Sequence, residues 1–467
     1  MARWILTFVV IIFVKKVHVT EETTECKSIK NKIGSGDHLI CTNVTSYFFR
    51  KFEIPSNKIS WLTCENCTLT TIDENTFPYQ NNHIHTLSIV RSKVKVLKKL
   101  AFSRYPFLKI LLLRNNSIDN VDTKSLANMK KLTQLDLSQN NIKIVINNMF
   151  SDLKNLDILD LNKNNLFYIQ PEGFNGLTNL KYLYLNDNYL NKLEEQIFKH
   201  LINLKILHIQ NNNLLEIHPL AFMNLKNLNF LYLNNNSISY LAQYNFQPLT
   251  SLIDLQLRFN RLKEIETSSF NGLKSLRNLL LRDNELTTIK PYGFVGLNSL
   301  EVLDLTNNSF EDFNLDIVIK NINKLYMLWL GKNSINNFTL DYKSDVQNSL
   351  KYIDLSYNNL TFVNYKLFYN KFPSVKELYV FNNYFDCDIM MDMYNFFDSN
   401  DVTLCLMEDC KENSTMNFIT EICNSETTET SYTFPSDFTT KDSSINVKFD
   451  MSIMILALLG LVSLQLA

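Results

Sequence analysis

The stretch Leu180-Lys-Tyr-Leu183-Tyr-Leu185-Asn-Asp-Asn188-Tyr-Leu190 decides the fold. Leu183 and Leu185 alternate with Tyr184, and a period of two puts the leucines on one face of a short strand and the tyrosine on the other. Asn188 follows, where the chain must turn inward. Its amide can bond backbone groups that the turn would otherwise leave unpaired. The pattern recurs in both directions. Its first apolar position falls at Ile84, Leu108, Leu132, Leu156, Leu180 and on to Leu300 in steps of 24, then at Leu325, Leu350 and Val375 in steps of 25. The asparagine slot holds Ser92 in the first of these thirteen repeats and asparagine in the other twelve, from Asn116 to Asn383. A degenerate earlier repeat starts at Ile59 and places Cys67 in that slot.

A second register runs in parallel. Phe102, Phe150, Phe174, Phe198, Phe222, Phe246, Phe270 and Phe294 share one repeat position, with Leu126 filling the gap. One coil cannot bury its own apolar face, so stacked neighbours must supply the core, and the array is quasi-one-dimensional. The expected fold is an α/β solenoid curved into a horseshoe. A parallel β-sheet lines its concave face, the convex side is irregular or briefly helical, and disulfide-stapled caps close both ends.

The chain has 467 residues with Lys+Arg 46 and Asp+Glu 47, a formal net charge of -1 that supplies no electrostatic reason to expect nucleic acid as a partner. Glycine and proline number nine each, so turns must be made by other residues. Asparagine is the expected substitute, because it tolerates the left-handed region. Cys26, Cys41, Cys64 and Cys67 cluster near the start, and Cys387, Cys405, Cys410 and Cys423 near the end. Each group allows three pairings. Their position at the two ends reads as caps folded in an oxidising compartment. Cys64-x-x-Cys67 has the spacing of a redox or metal pair, but in a secreted cap a structural disulfide is the simpler reading.

Both termini carry targeting signals. Met1–Arg3 and the apolar run Trp4–Val14 read as a signal peptide ending near residue 20. Met451–Ala467 is apolar, preceded by the spacer Ile445–Asp450 and the small residues Asp442, Ser443 and Ser444. That order is the signal for a glycosylphosphatidylinositol (GPI) anchor, with Asp442 as attachment site. The expected organisation is therefore a signal peptide at 1–20, an N-terminal cysteine cap at 21–58, repeats at 59–386 and a C-terminal cysteine cap at 387–423. A Ser/Thr-rich stalk follows at 424–442 and an anchor propeptide at 443–467. Asn-x-Ser/Thr glycosylation acceptors stand at Asn43, Asn66, Asn115, Asn235, Asn307, Asn337, Asn359 and Asn413.

These repeats and cysteine clusters resemble the extracellular "typical" leucine-rich-repeat proteins over roughly Cys26 to Cys423. The stretch Asn383-Tyr-Phe-Asp-Cys387-Asp resembles the opening of their C-terminal cap, although Asp388 stands where a second early cysteine is common. With the GPI-type tail, the architecture is similar to insect surface adhesion proteins of the connectin and chaoptin kind. The resemblance implies a cell-surface protein on the extracellular face of the plasma membrane.

The strand residues between the leucines define where a partner would bind. Tyr182, Tyr184, His208, Phe230 and Tyr232 fall together on three adjacent coils, with Arg258 and Arg282 beside them. Met327, Trp329, Tyr352, Tyr379 and Phe381 form a second aromatic group. Aromatic anchors on a rigid sheet are what protein interfaces use, and arginine adds fork-shaped recognition of carboxylates. The same rings also have high strand propensity and stabilise a sheet without any ligand. Asp136 and Asp160 lie on adjacent coils, the spacing of a carboxylate pair, yet no other ligand converges on them. No metalloprotease, nucleophile-elbow, phosphate-loop or dinucleotide motif is present, so no enzyme, cofactor or metal is expected. The expected function is adhesion or recognition of a protein or surface partner, homophilic or heterophilic. The alternatives are an innate-immune or signalling co-receptor for a microbial or soluble ligand, and a secreted matrix or inhibitory protein.

Overall fold

The structure is a computed structural model describing residues 19–410 except 24–25, 31–35, 52–57, 78–82, 321, 342–345 and 409, together with Phe418, Ile419 and Cys423. The expected stalk, the anchor signal with Asp442, the leader up to residue 18 and Asn413 lie outside the described residues. The chain divides into Met1–Asn417 and Phe418–Ala467. The first unit is a parallel β-sheet solenoid of about 15 turns, with disulfides near both ends.

Each coil contributes one short strand to an 18-stranded sheet. Strand Tyr182–Tyr184 pairs in parallel with Ile158–Asp160 on one side and Ile206–His208 on the other, in register with the repeat. Two-residue strands such as Tyr168–Ile169 form smaller parallel sheets further along most coils. Helices are short until the C-terminal end, where Cys387–Asp398 is capped by Asp386, whose side chain accepts from Ile389 N at 3.0 Å. The sheet continues beyond the repeats into both expected caps. Asp37–Thr42 pairs with Ile59–Glu65 at one end, and Thr403–Cys405 pairs with Glu377–Tyr379 at the other.

The consensus leucines and the phenylalanine row are buried, as is Leu126 in the phenylalanine slot. From Phe174 to Phe294 the rings stack at 5.9–6.2 Å. On the sheet side, Tyr184, His208 and Tyr232 stack at only 4.9 and 4.4 Å. A stack whose period is longer on one side than on the other must bend, so over these coils the sheet is the inner, concave face.

Asn188 shows how the coils are tied. Its Nδ2 donates to Leu161 O on the preceding coil and to Leu185 O on its own, both at 3.0 Å, while its Oδ1 accepts from Leu166 N at 3.0 Å. Asn140, Asn164, Asn212, Asn260, Asn284, Asn308 and Asn358 repeat this pattern from buried positions. As expected, asparagine makes many of the left-handed turns: Asn43, Asn66, Asn115, Asn128, Asn148, Asn211, Asn224, Asn235, Asn307 and Asn382 have positive φ. One recurring position of positive φ stands just before the ladder asparagine, and there other residues share the task, as Gln139, Lys163, Asp187, Asn211 and Phe259 show. Each donates its backbone N–H to a carbonyl of the next coil at 2.9–3.1 Å. That intercoil bond holds a conformation whose cost would otherwise favour glycine or asparagine.

At the N-terminal end, Cys26 pairs with Cys41 and Cys64 with Cys67. Cys67 occupies the asparagine slot, and its N–H donates to Ser92 Oγ at 3.1 Å. Ser92 Oγ in turn donates to Val90 O at 2.9 Å, so these small residues partly replace the amide ladder. Near the C-terminal end Cys405 pairs with Cys410, and Cys387 and Cys423 are each disulfide-bonded.

Candidate ligand-binding face

Tyr184, His208 and Tyr232 occupy equivalent positions on three neighbouring strands and form one continuous stack, with interplanar angles of 14° and 7°. The strands hold the backbones in register, and the 24-residue step places the rings directly over one another. Tyr182 and Phe230 lie two residues before Tyr184 and Tyr232 on the same open face and are half-buried. Burial pushes the His208 imidazole down to about 4 and the Tyr232 phenol up to about 12. The platform is therefore uncharged near neutral pH. Its polar edges are the hydroxyls and the His208 Nδ1, which lies 3.2 Å from Gln210 Nε2.

The arginines expected beside this platform are engaged elsewhere. Arg258 Nη2 lies 3.4 Å from Asp304 Oδ2, and Arg282 Nε lies 3.0 Å from Asp283 Oδ2. Arg258 Nε is buried with no hydrogen-bond partner. In the second group, Trp329 and Tyr379 lie 6.3 Å apart at 53°, across the coil that carries Asp354. Tyr326, one residue before Met327, packs edge-on to Tyr352 at 5.4 Å. Trp329 thus belongs to a looser arrangement than the platform.

The residues that alternate with the strand leucines are not uniformly open, since Ser88, Leu280, Asp304 and Asp354 are buried. Asp354 also tucks against Gly331, where a β-carbon would stand 2.6 Å from its Oδ2 and would oblige the carboxylate to shift. Burial raises the Asp354 and Asp254 carboxyls above their usual range. It pushes Asp160 up to about 6, with Asp136 on the preceding coil adding to the effect. The aspartates at 254, 304 and 354 are buried charges that the repeat consensus gave no reason to single out. Among the described residues, no group of three or more His, Cys, Asp or Glu is placed to hold a metal ion.

The acceptor asparagines follow the repeat. Asn43, Asn66, Asn115, Asn235 and Asn307 are exposed in left-handed turns on the side of the sheet where the strands end. Asn337 is exposed, while Asn359 is half-buried beside the ladder residue Asn358. On the opposite side, where chains enter the strands, an open groove of about 600 Å³ is lined by lysines and asparagines. The sequence reading passed over it.

The family described as leucine rich repeat matches residues 82–142, 106–166, 154–205, 202–262 and 250–310. The chain is a leucine-rich-repeat protein with disulfide pairs near its ends. No curated protein sequence matches it. Among solved structures it is similar to a leucine-rich-repeat protein of Leptospira interrogans, at TM-score 0.51 and 22% identity over 76% of this chain and 93% of that one. It is also similar to the Toll–Spatzle complex of Drosophila, at TM-score 0.53 and 18% identity over 79% and 65%. A third similar structure is the TLR13–ssRNA13 complex, at TM-score 0.52 and 22% identity over 79% and 60%. The chain thus spans about two thirds or less of the Toll and TLR13 chains. At these identities the likeness establishes the fold.

Proposed function

We propose that this chain is a cell-surface recognition protein, held by a GPI anchor at Asp442, that binds a protein partner through the concave face and mediates adhesion. The observation that carries this reading is the Tyr184–His208–Tyr232 stack, flanked by Tyr182 and Phe230 on a rigid sheet. A preformed stack of neutral rings buries large area with little loss of side-chain freedom, the property that makes aromatic residues binding hot spots. Terminal disulfides fit a secretory route. The Toll–Spatzle and TLR13–ssRNA13 complexes are examples of this fold with a bound partner.

A cell-mixing assay tests the proposal, with labelled expressing cells and differently labelled non-expressing cells. Clusters of expressing cells alone mean homophilic adhesion, and mixed clusters mean a different surface partner. Replacing Tyr184, Phe230 and Tyr232 with Ala is expected to abolish clustering while surface display persists. No clustering of displayed wild type would overturn adhesion in favour of a co-receptor for a soluble or microbial ligand. Retention on the cell after phosphatidylinositol-specific phospholipase treatment would overturn the lipid anchor.

A further inference from the structure

The groove on the strand-entry side is lined by Lys109, Lys131, Lys181 and Lys205, with Asp157 the one acid in its lining. Lys109, Lys131 and Lys205 are exposed, whereas Lys181 is half-buried and pairs with Asp157 at 3.1 Å. Lys130, Lys154 and Lys226 are exposed on the same series of turns. Asn155, Asn179 and Asn203 fix the surface between them, donating Nδ2 to the carbonyls of Lys130, Lys154 and Thr178 on preceding coils at 2.8–2.9 Å. Strands in a sheet lie ~4.8 Å apart, so the five coils from Lys109 to Lys205 present this charge over about 19 Å. The chain as a whole carries a formal charge of -1, so the row is a local segregation of charge.

We infer that this edge binds a linear sulfated polysaccharide. A regular row of cations on a rigid edge suits an extended polyanion, whose condensed counterions are released on binding. Single-stranded nucleic acid is bound by pairing such cations with aromatic rings that stack on bases. This groove is lined by Lys, Asn, Thr and Asp alone. The Asn Oδ1 atoms and Thr133 Oγ1, whose O–H donates to Lys109 O at 3.1 Å, can accept from sugar hydroxyls, and the lysines meet the sulfate oxygens. The acceptors at Asn115 and Asn235 lie on the opposite, strand-exit turns, so glycans there would leave this edge bare.

Immobilised heparin and full-length protein provide the test, with the salt dependence of binding as readout. The double variant Lys131→Gln/Lys205→Gln is expected to bind about tenfold more weakly at 0.15 M salt. Its plot of log K against log salt should be shallower by roughly 0.7 for each lysine removed. The control Lys143→Gln/Lys263→Gln, at exposed positions beyond the strand-exit turn, should bind like wild type. Circular dichroism melts confirm that both variants fold. Failure of wild type to bind heparin, an equal loss in the control, or tighter binding to oligo(U) than to heparin would each overturn the inference.

Discussion

Arg258 Nη2 and Asp304 Oδ2 lie 3.4 Å apart although a whole coil, the one carrying Leu280, stands between their strands. Contacts in a repeat stack ordinarily join nearest neighbours. This pair couples coils that share no hydrogen-bond ladder, and the long arginine must cross the intervening strand, where Leu280 is buried on the open face. Asp304 is itself buried, so it would be costly to leave unpaired.

A double-mutant cycle with Arg258→Ala and Asp304→Ala is expected to give a coupling energy of about 0.5–3 kcal/mol in denaturant unfolding. Strictly additive effects would mean the two side chains do not act on each other in solution.

Acidification should expose the buried imidazole. The unfolded His208 binds a proton below pH 6.5, whereas the folded one does so only below about 4. Its contribution is therefore complete above pH 6.5 and is lost as pH falls toward 4. His38, stacked on Trp61 and lowered to about 4 by burial, acts in the same direction. Asp160, raised to about 6, acts in the opposite direction below that pH. The useful quantity is thus the difference between wild type and His208→Phe, which keeps the stack and removes the proton. The variant is expected to lose less melting temperature between pH 7 and pH 5. Parallel losses would show that His208 does not titrate as a buried group.

Asn188→Ala removes two donors and one acceptor from a buried position and orphans the backbone groups of Leu161, Leu185 and Leu166. A loss of about 1–3 kcal/mol is expected. Native-state hydrogen exchange should show the protection loss concentrated at the 156 and 180 coils. A uniform loss across the array would argue against local ties.

Phe222→Ala should cost about 3–5 kcal/mol, because it opens a cavity in the middle of a ring stack. Phe222→Leu should cost distinctly less, since Leu126 already fills the same slot from a buried position. Equal costs in thermal unfolding would mean that the rings contribute through something other than volume.

The solenoid was legible because its determinants are local and repeated. Leu183, Leu185 and Asn188 each do one job that residue chemistry reveals, and the 24-residue spacing repeats it until no other fold fits. The platform was legible for the same reason, since equal repeat positions stack. What escaped depends on where long side chains go. Nothing in the spacing tells that Arg258 reaches Asp304, or that Asp354 sinks beside Gly331. The cysteine pairs were open because four residues allow three pairings and the caps lack the repeat that fixes distances elsewhere. The lysine groove sits at variable positions, which a consensus discards by construction.

The ladder of Asn188 and its counterparts makes the coil a unit of inheritance. Each asparagine side chain addresses its own coil and the one before it, through acceptors that neighbouring coils supply at the same place. A duplication or loss of one 24-residue module would rejoin carbonyl to amide as if nothing had been cut. Lengthening the array is thus a single genetic step wherever no side chain spans more than one coil, as Arg258 does to reach Asp304. The capped ends lack such interchangeable partners, so a module inserted there would not meet the same acceptors.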